Sequence, residues 1–464
     1  GPNHVHVATA YYFIGDVFQS KGELDSAKDC HQRALEIRKR QFGLNNVHVA
    51  DSYYNLGVVH DNKGELDLAK DCLKRAIETQ EKPIGPNHVD VAFSYSNLGV
   101  VYCKKGELDL AKDCQQRALE IRKIVLGQNH VEVANCYNNL GTVYLEKDKL
   151  DRAKECYQQA LEIREDLLGS NHVDVAACYS NIGAVHFKKG ELDLAKVSHQ
   201  RELEITENQS GPNHVKVAHC YNNLGVIYFK SRELDLAKHC LQRALKIREK
   251  EFGPNHVYVA DSCSNLGWVY YEKGEQDVAK DCFEQALKIQ ENQFGLHHEK
   301  VLDSCIGLAK VYFQKGELDL AKDCLHRTLK IQEKQLGPKH VDVAASYSNL
   351  GAVCCEEGLV YFKKGELDLA KDCLHRALDI EEKEFGPNHV DVAATCRRLG
   401  VVYHKKGELE LAKDFYLRAL EIQEKRVTPN FVDVANLYQK LGELYIEERE
   451  LNMSKDLHQQ TLEI

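Results

Sequence analysis

The sequence contains no alternating apolar and polar stretch of the kind that makes a half-buried strand, so nothing in it predicts a sheet. No apolar run approaches the roughly 18 residues of a membrane-spanning helix, and no signal-peptide pattern occurs, so neither a membrane nor a secretory segment is expected. Basic residues are not in excess. The net charge is −10, with Lys and Glu interleaved on helical faces, which argues against a nucleic-acid ligand. There is no nucleophile elbow, phosphate loop, HExxH motif or isolated carboxylate pair, so neither catalysis nor a cofactor is expected. Seventeen cysteines are present, but no CxxC pair.

What the sequence does contain is repetition. A Gly opens a unit at positions 1, 43, 85, 127, 169, 211, 253, 295, 337 and 386, and Thr428 replaces it in the last. The period is 42 apart from one step of 49, giving eleven units, the last stopping after 37 residues. Self-similarity at this period means stacked supersecondary units in one solenoid over residues 1–464, not separate globules. Phases within a unit are numbered below to match repeat 1.

Each unit reads as two helices. The first follows Gly-Pro-Asn-His, a turn and N-cap cluster, and ends near a Gly at phase 22, as at Gly64, Gly106 and Gly190. The second starts near Glu-Leu-Asp and runs to the Gly of the next unit. Tyr137, Leu140, Gly141 and Tyr144 form an i, i+3, i+4, i+7 stripe on a first helix, and Ala153, Cys156, Tyr157 and Ala160 form one on a second. A Gly recurs in the middle of the first helix (Gly57, Gly99, Gly141, Gly183), where it costs about 1 kcal/mol against Ala, so a tight helix contact is expected there. The fold class is therefore all-α.

Eight cysteines share phase 30, including Cys30, Cys72, Cys114 and Cys156, and others fall at phases 10 or 11, such as Cys136 and Cys263. Recurrence at core phases reads as small buried hydrophobes with free thiols, and a reduced, cytoplasmic setting is expected. His recurs at phase 4 (His88, His130, His172, His214). Each lies one repeat from the next, too far apart to share an ion, so a capping or packing role is expected and no metal site. The 49-residue step carries a duplicated heptad, residues 351–357 and then 358–364. Seven residues are about 1.94 helical turns, which predicts a first helix longer by two turns. The ends fall at or inside repeats without a capping helix. The chain is expected to be a segment of a longer protein, and open ends would permit end-to-end self-association.

The period alone also admits HEAT or armadillo units. Leu98-Gly99-x-x-Tyr102, Gly106, Ala111 and Ala118, however, fall at the spacing of the tetratricopeptide repeat. The opening Gly85-Pro86-Asn87-His88-Val89-Asp90-Val91-Ala92 resembles the longer variety found in kinesin light chain and nephrocystin-3. Val89, Val131 and Val173 stand where kinesin light chain usually has Pro, and the repeats here are more numerous and more alike. The resemblance implies a right-handed superhelix whose concave surface, lined by first helices, recognises a peptide segment of a protein partner.

On that face the repeats differ most. Phase 19 carries Leu145, Phe187, Phe229, Tyr271 and Phe313 in succession, with Trp268 beside them, either as an apolar recognition stripe or as packing against the next repeat. Phase 13 carries Asn97, Asn139, Asn181, Asn223 and Asn265, either to pair with a ligand backbone or to bond a neighbouring helix. In the last repeats Arg397, Arg398 and Lys440 gather near Asn349, either as an anion clamp or as solvated charge. The expected function is a protein-interaction scaffold that binds a peptide in its groove, with neither nucleic acid nor membrane as partner. The alternatives are a sensing or autoinhibitory arm of a larger, nucleotide-binding receptor-like signalling protein, and a self-assembling rod.

Overall fold

The computed structural model describes residues 4–360, 364–426, 430–447 and 450–463. Among the described residues there are 22 α-helices, one 3-10 turn (Glu299–Val301) and no strand. The chain divides into two compact units, Gly1–Glu233 and Leu234–Ile464. Each is a stack of helix pairs in chain order. The first holds repeats 1–5 and the first helix of repeat 6; the second holds the remainder.

In repeats 1–7 every first helix has 16 residues and every second helix 19. Their ends are set locally. The phase-4 imidazole is the N-cap of its own helix: Nδ1 of His88 accepts from the Asp90 N–H at 3.2 Å, and His172, His214, His256 and His340 do the same. This satisfies a helix donor that has no intrahelical partner. At the other end Gly106 (φ 75°) lets the Glu107 N–H reach Tyr102 O at 2.9 Å, the six-to-one bond that closes the helix. In repeat 4 this turn falls on Asp148, at φ 56°. A Cβ there is strained, so Asp148→Gly is expected to stabilise the protein by about 1 kcal/mol in urea unfolding.

The mid-helix glycines receive a bulky side chain from the second helix of the same repeat. A Cβ on Gly57 would stand 2.7 Å from Leu73, and one on Gly141 would stand 2.7 Å from the Tyr157 ring. Phe283, fully buried, lies against both Gly267 and Gly307. The expected close contact is thus a lock within the helix pairs of Gly57, Gly141 and Gly267, among others.

Between repeats the lock is polar and buried. Arg38 donates to Ser52 Oγ at 2.8 Å and Arg248 to Ser262 Oγ at 2.8 Å, while Arg122 and Arg164 reach the Sγ of Cys136 and Cys178 at 3.0 and 3.1 Å. In other repeats a Gln accepts instead, from Ser94 to Gln80 at 2.8 Å and from Ser346 to Gln332 at 2.7 Å. These side chains are almost wholly buried, with Arg122 only 2% exposed. On the surface, Lys63 pairs with Asp25 at 2.6 Å and Lys189 with Asp151 at 2.9 Å, each linking adjacent repeats. Such exposed pairs contribute at most about 1 kcal/mol each.

All seventeen cysteines are free. Burial pushes the thiols of Cys114, Cys156 and Cys240 up to about 11, so little thiolate exists near neutrality. Thiol titration is therefore expected to recover seventeen groups in denaturant and to proceed slowly in the native state. Rapid native labelling of most of them would contradict the buried assignment.

The extra heptad is helical from residue 354 to 360, but it does not add two turns to one helix. The first helix of repeat 9 runs Val341–Val360, 20 residues, and the second runs Lys364–Phe385, 22 residues. Against 16 and 19 in repeats 1–7, the first gains four residues and the second three. Gly351 keeps the framework contact, packing on Leu374, so all seven added residues lie between the two halves of that lock, within the lengthened helices. Val353 is buried. The side chains of Leu359 and Val360 lie outside the described residues.

Candidate functional site

The first helices of repeats 7–10 (Val257–Glu272, Leu302–Gln314, Val341–Val360 and Val390–Lys405) bring together residues that are far apart in sequence. Tyr271, Phe313, Asn349 and Arg398 line one pocket of about 200 Å³. Ile306, Ala309, Lys310, Ala352 and Val353 complete its walls, with Leu325 from the second helix of repeat 8. The site thus unites two members of the aromatic stripe with two of the proposed anion clamp. Among the described residues no carboxylate lines it.

Hydrogen bonds and a cation–ring contact hold the pocket on one side. Trp268 Nε1 donates to both carboxylate oxygens of Asp303, at 3.0 and 3.1 Å, and the Lys310 ammonium lies 5.0 Å over the Trp268 ring. Gln314 donates to the Tyr271 hydroxyl at 2.8 Å, and burial pushes that phenol up from its ordinary value. Phe313 remains 37% exposed. On the other side the Arg398 guanidinium donates to Ser348 Oγ. Burial holds its basicity below the usual guanidinium range, with Arg397 adding and Glu381 opposing. A partly dehydrated guanidinium, an exposed ammonium, one amide and apolar walls suit an apolar side chain next to a carboxylate or a peptide carbonyl.

The other candidate residues are placed differently. In the first unit, Asn97 Nδ2 donates to the Tyr54 hydroxyl at 2.7 Å, Asn139 to Ser96 at 3.3 Å and Asn181 to Asn138 at 2.7 Å. In repeats 3–5 phase 13 therefore bonds the first helix to the one before it, and Arg398 makes the same step to Ser348 in repeat 10. Asn223 and Asn265 are half-buried at the same phase. Leu145 packs against the cluster of Tyr157, Ile182 and Val185, and Phe187 and Phe229 are half-buried. Lys440 pairs with Glu443 on its own helix at 2.7 Å, and neither it nor Arg397 lines the pocket. The four-residue clamp is not assembled as a unit; Asn349 and Arg398 are.

Sequence reasoning passed over Lys310, which stands out only as a cation at phase 16, where Val226 and Trp268 precede it. It also passed over a column of exposed leucines at phase 26 of the second helices: Leu68, Leu110 and Leu194 in the first unit, Leu236, Leu320 and Leu411 in the second, 42–51% exposed. Among the described residues no group of three potential ligands could hold a metal ion, and no helix is long and apolar enough to cross a membrane.

The tetratricopeptide repeat model matches residues 6–82, 90–166, 143–208, 174–250, 221–292, 304–359 and 356–425. No curated protein sequence matches the chain. Among solved structures, the apo form of RapI is similar over 81% of this chain and 98% of its own, at 16% identity and a TM-score of 0.57. BtubC (BKLC) from P. vanneervenii matches over 50% of this chain and 92% of its own, at 24% identity and a TM-score of 0.44. A putative kinesin light chain with nearly identical TPR-like repeats, from Podosopora anserina, matches over 45% and 98%, at 16% identity and a TM-score of 0.40. With the family model spanning most of the helix pairs, this chain belongs to the tetratricopeptide repeat family of protein-interaction scaffolds.

Proposed function

We propose that the chain captures a peptide segment of a partner protein on the first-helix face, with the pocket at Tyr271, Phe313, Asn349 and Arg398 as its principal contact. The observation that supports this reading is the pocket itself: an apolar recess carrying two cations, Lys310 and Arg398, and, among the described residues, no carboxylate in its walls. Four successive first helices contribute to it, so a folded array is needed to form it. The peptide inserts one apolar side chain between Tyr271 and Phe313 and sets an acidic group against Lys310 and Arg398.

Selection from a displayed random peptide library tests this. Peptides recovered by the wild-type protein are expected to pair an aromatic or aliphatic residue with a nearby Asp or Glu. Their affinity is expected to fall by about 2 kcal/mol or more, roughly thirty-fold, in the Lys310→Glu/Phe313→Ser variant. Both side chains are exposed, so the melting temperature should hold. Peptides without that pairing, or equal binding to the variant, would contradict the reading.

A further inference from the structure

A second recess lies in the first unit, at Gln80. The buried polar lock between repeats shows what surrounds it. Where the second helix ends in Arg, the guanidinium donates to a carbonyl at the start of the next first helix and reaches across the groove-side residues. Arg38 donates to His48 O at 2.9 Å and lies 4.6 Å over the Tyr12 ring. Arg122 donates to Glu132 O at 3.3 Å, meets the Glu132 carboxylate at 3.3 Å and lies 4.5 Å over the Phe93 ring. Arg164 donates to Asp174 O at 3.1 Å and to Asn135 Oδ1 at 2.9 Å. Repeat 2, between the first two of these, has the shorter Gln80 at this phase.

The groups that would receive a guanidinium there are nonetheless in place. Ser94 stands at the position of Ser52 and Ser262, which accept from Arg38 and Arg248. Asp90 stands at the position of Glu132, which meets Arg122. A pocket of about 270 Å³ is lined by Gln80, Asp51, Asp90, Tyr12, Tyr54 and Phe93. It occupies the place that the guanidinium of an arginine would fill if repeat 2 carried one at this phase. Among the described residues its two carboxylates form no ion pair with a Lys or Arg: Asp51 meets only His48, at 3.6 Å, and Asp90 only His88, at 3.4 Å. Burial pushes the Asp51 carboxyl up; Arg38 and His48 offset part of this, and the like charge of Asp90 adds to it. Arg38 and Arg122 already stack on Tyr12 and Phe93, whereas no cation of the described residues lies over Tyr54.

We propose that this pocket takes the guanidinium of an arginine side chain presented by a partner polypeptide, in the place that the chain's own arginines fill in the flanking repeats. Arginine is favoured over lysine because a planar guanidinium can stack on Tyr54 and at the same time donate to the Asp90 carbonyl and to the carboxylates, which a compact ammonium cannot. The site is independent of the pocket in repeats 7–10 and does not rest on its role.

Saturation-transfer NMR with N-acetyl-arginine methylamide tests the assignment, with the isosteric but neutral citrulline compound and the lysine compound as controls. The wild-type protein is expected to transfer saturation to the arginine side chain, several-fold less to lysine, and to citrulline not at all. Gln80→Arg should fill the pocket from within, abolishing the transfer while melting no lower than wild type. The Asp51→Asn/Asp90→Asn variant, altered at partly exposed side chains, should also lose it, and serves where Gln80→Arg fails to fold. Equal transfer to citrulline or lysine, or undiminished transfer in a folded variant of either kind, would overturn the proposal.

Discussion

Phe283→Ala is expected to destabilise the second unit by about 3–5 kcal/mol, read from urea unfolding followed by circular dichroism. The ring is fully buried and lies against two glycines, Gly267 of its own repeat and Gly307 of the next. Removing it opens a cavity that neither glycine can fill, at a point where one side chain joins two repeats. A stack whose units touch mainly their neighbours concentrates such a loss locally, so an early transition confined to part of the helical signal is expected. Gly267→Val should cost a similar amount from the other side, because its Cβ would stand 2.7 Å from the ring. A loss under about 1 kcal/mol in both variants would mean that the lock is not a lock.

Glu381→Gln is expected to stabilise the protein at pH 8 by up to about 3 kcal/mol and to leave it unchanged at about pH 3.5. Glu381 stands where Gln290 and Gln332 stand in the preceding repeats, and it accepts from Thr395 as they accept from Ser304 and Ser346. Burial pushes its carboxyl up to about 7; the Thr395 hydroxyl and Arg398 oppose this, and Asp391 adds to it. Below the ordinary Glu value of 4.5 both folded and unfolded chains hold the proton, so the group costs nothing. Between there and about 7 the unfolded chain releases a proton that the folded one keeps, so stability falls as pH rises. Above that the whole penalty is present. Gln keeps the acceptor for Thr395 and carries no charge. A stabilisation that did not change with pH would show that charge burial is not its source.

The fold was legible because its determinants repeat. The cap at His88, the turn at Gly106 and the close contact at Gly141 each recur every 42 residues, and each does in the structure what its residue type predicts. The polar lock between repeats was not legible. Arg122 and Arg164 follow the apolar face of an amphipathic helix and look like surface residues, yet they are 2% and 7% exposed. The heptad was legible as helix but not as to which helix, since its phase is the same whether one helix lengthens or two do. The Asn ladder was ambiguous for a physical reason: an amide that can pair with a ligand backbone can equally bond Tyr54 or Asn138 of the preceding repeat, as Asn97 and Asn181 do. The pocket could not be seen at all, because Tyr271 and Arg398 lie three repeats apart and only stacking brings them together.

Recognition on the first-helix face is tested most directly by photo-crosslinking a library-selected peptide. Benzoylphenylalanine is placed singly at Phe313, which lines the pocket, and at Leu320, 45% exposed in the leucine column on the second helix of the same repeat. A peptide adduct is expected from position 313 and none from position 320. An adduct from position 320 alone would place recognition on the second helices and contradict it.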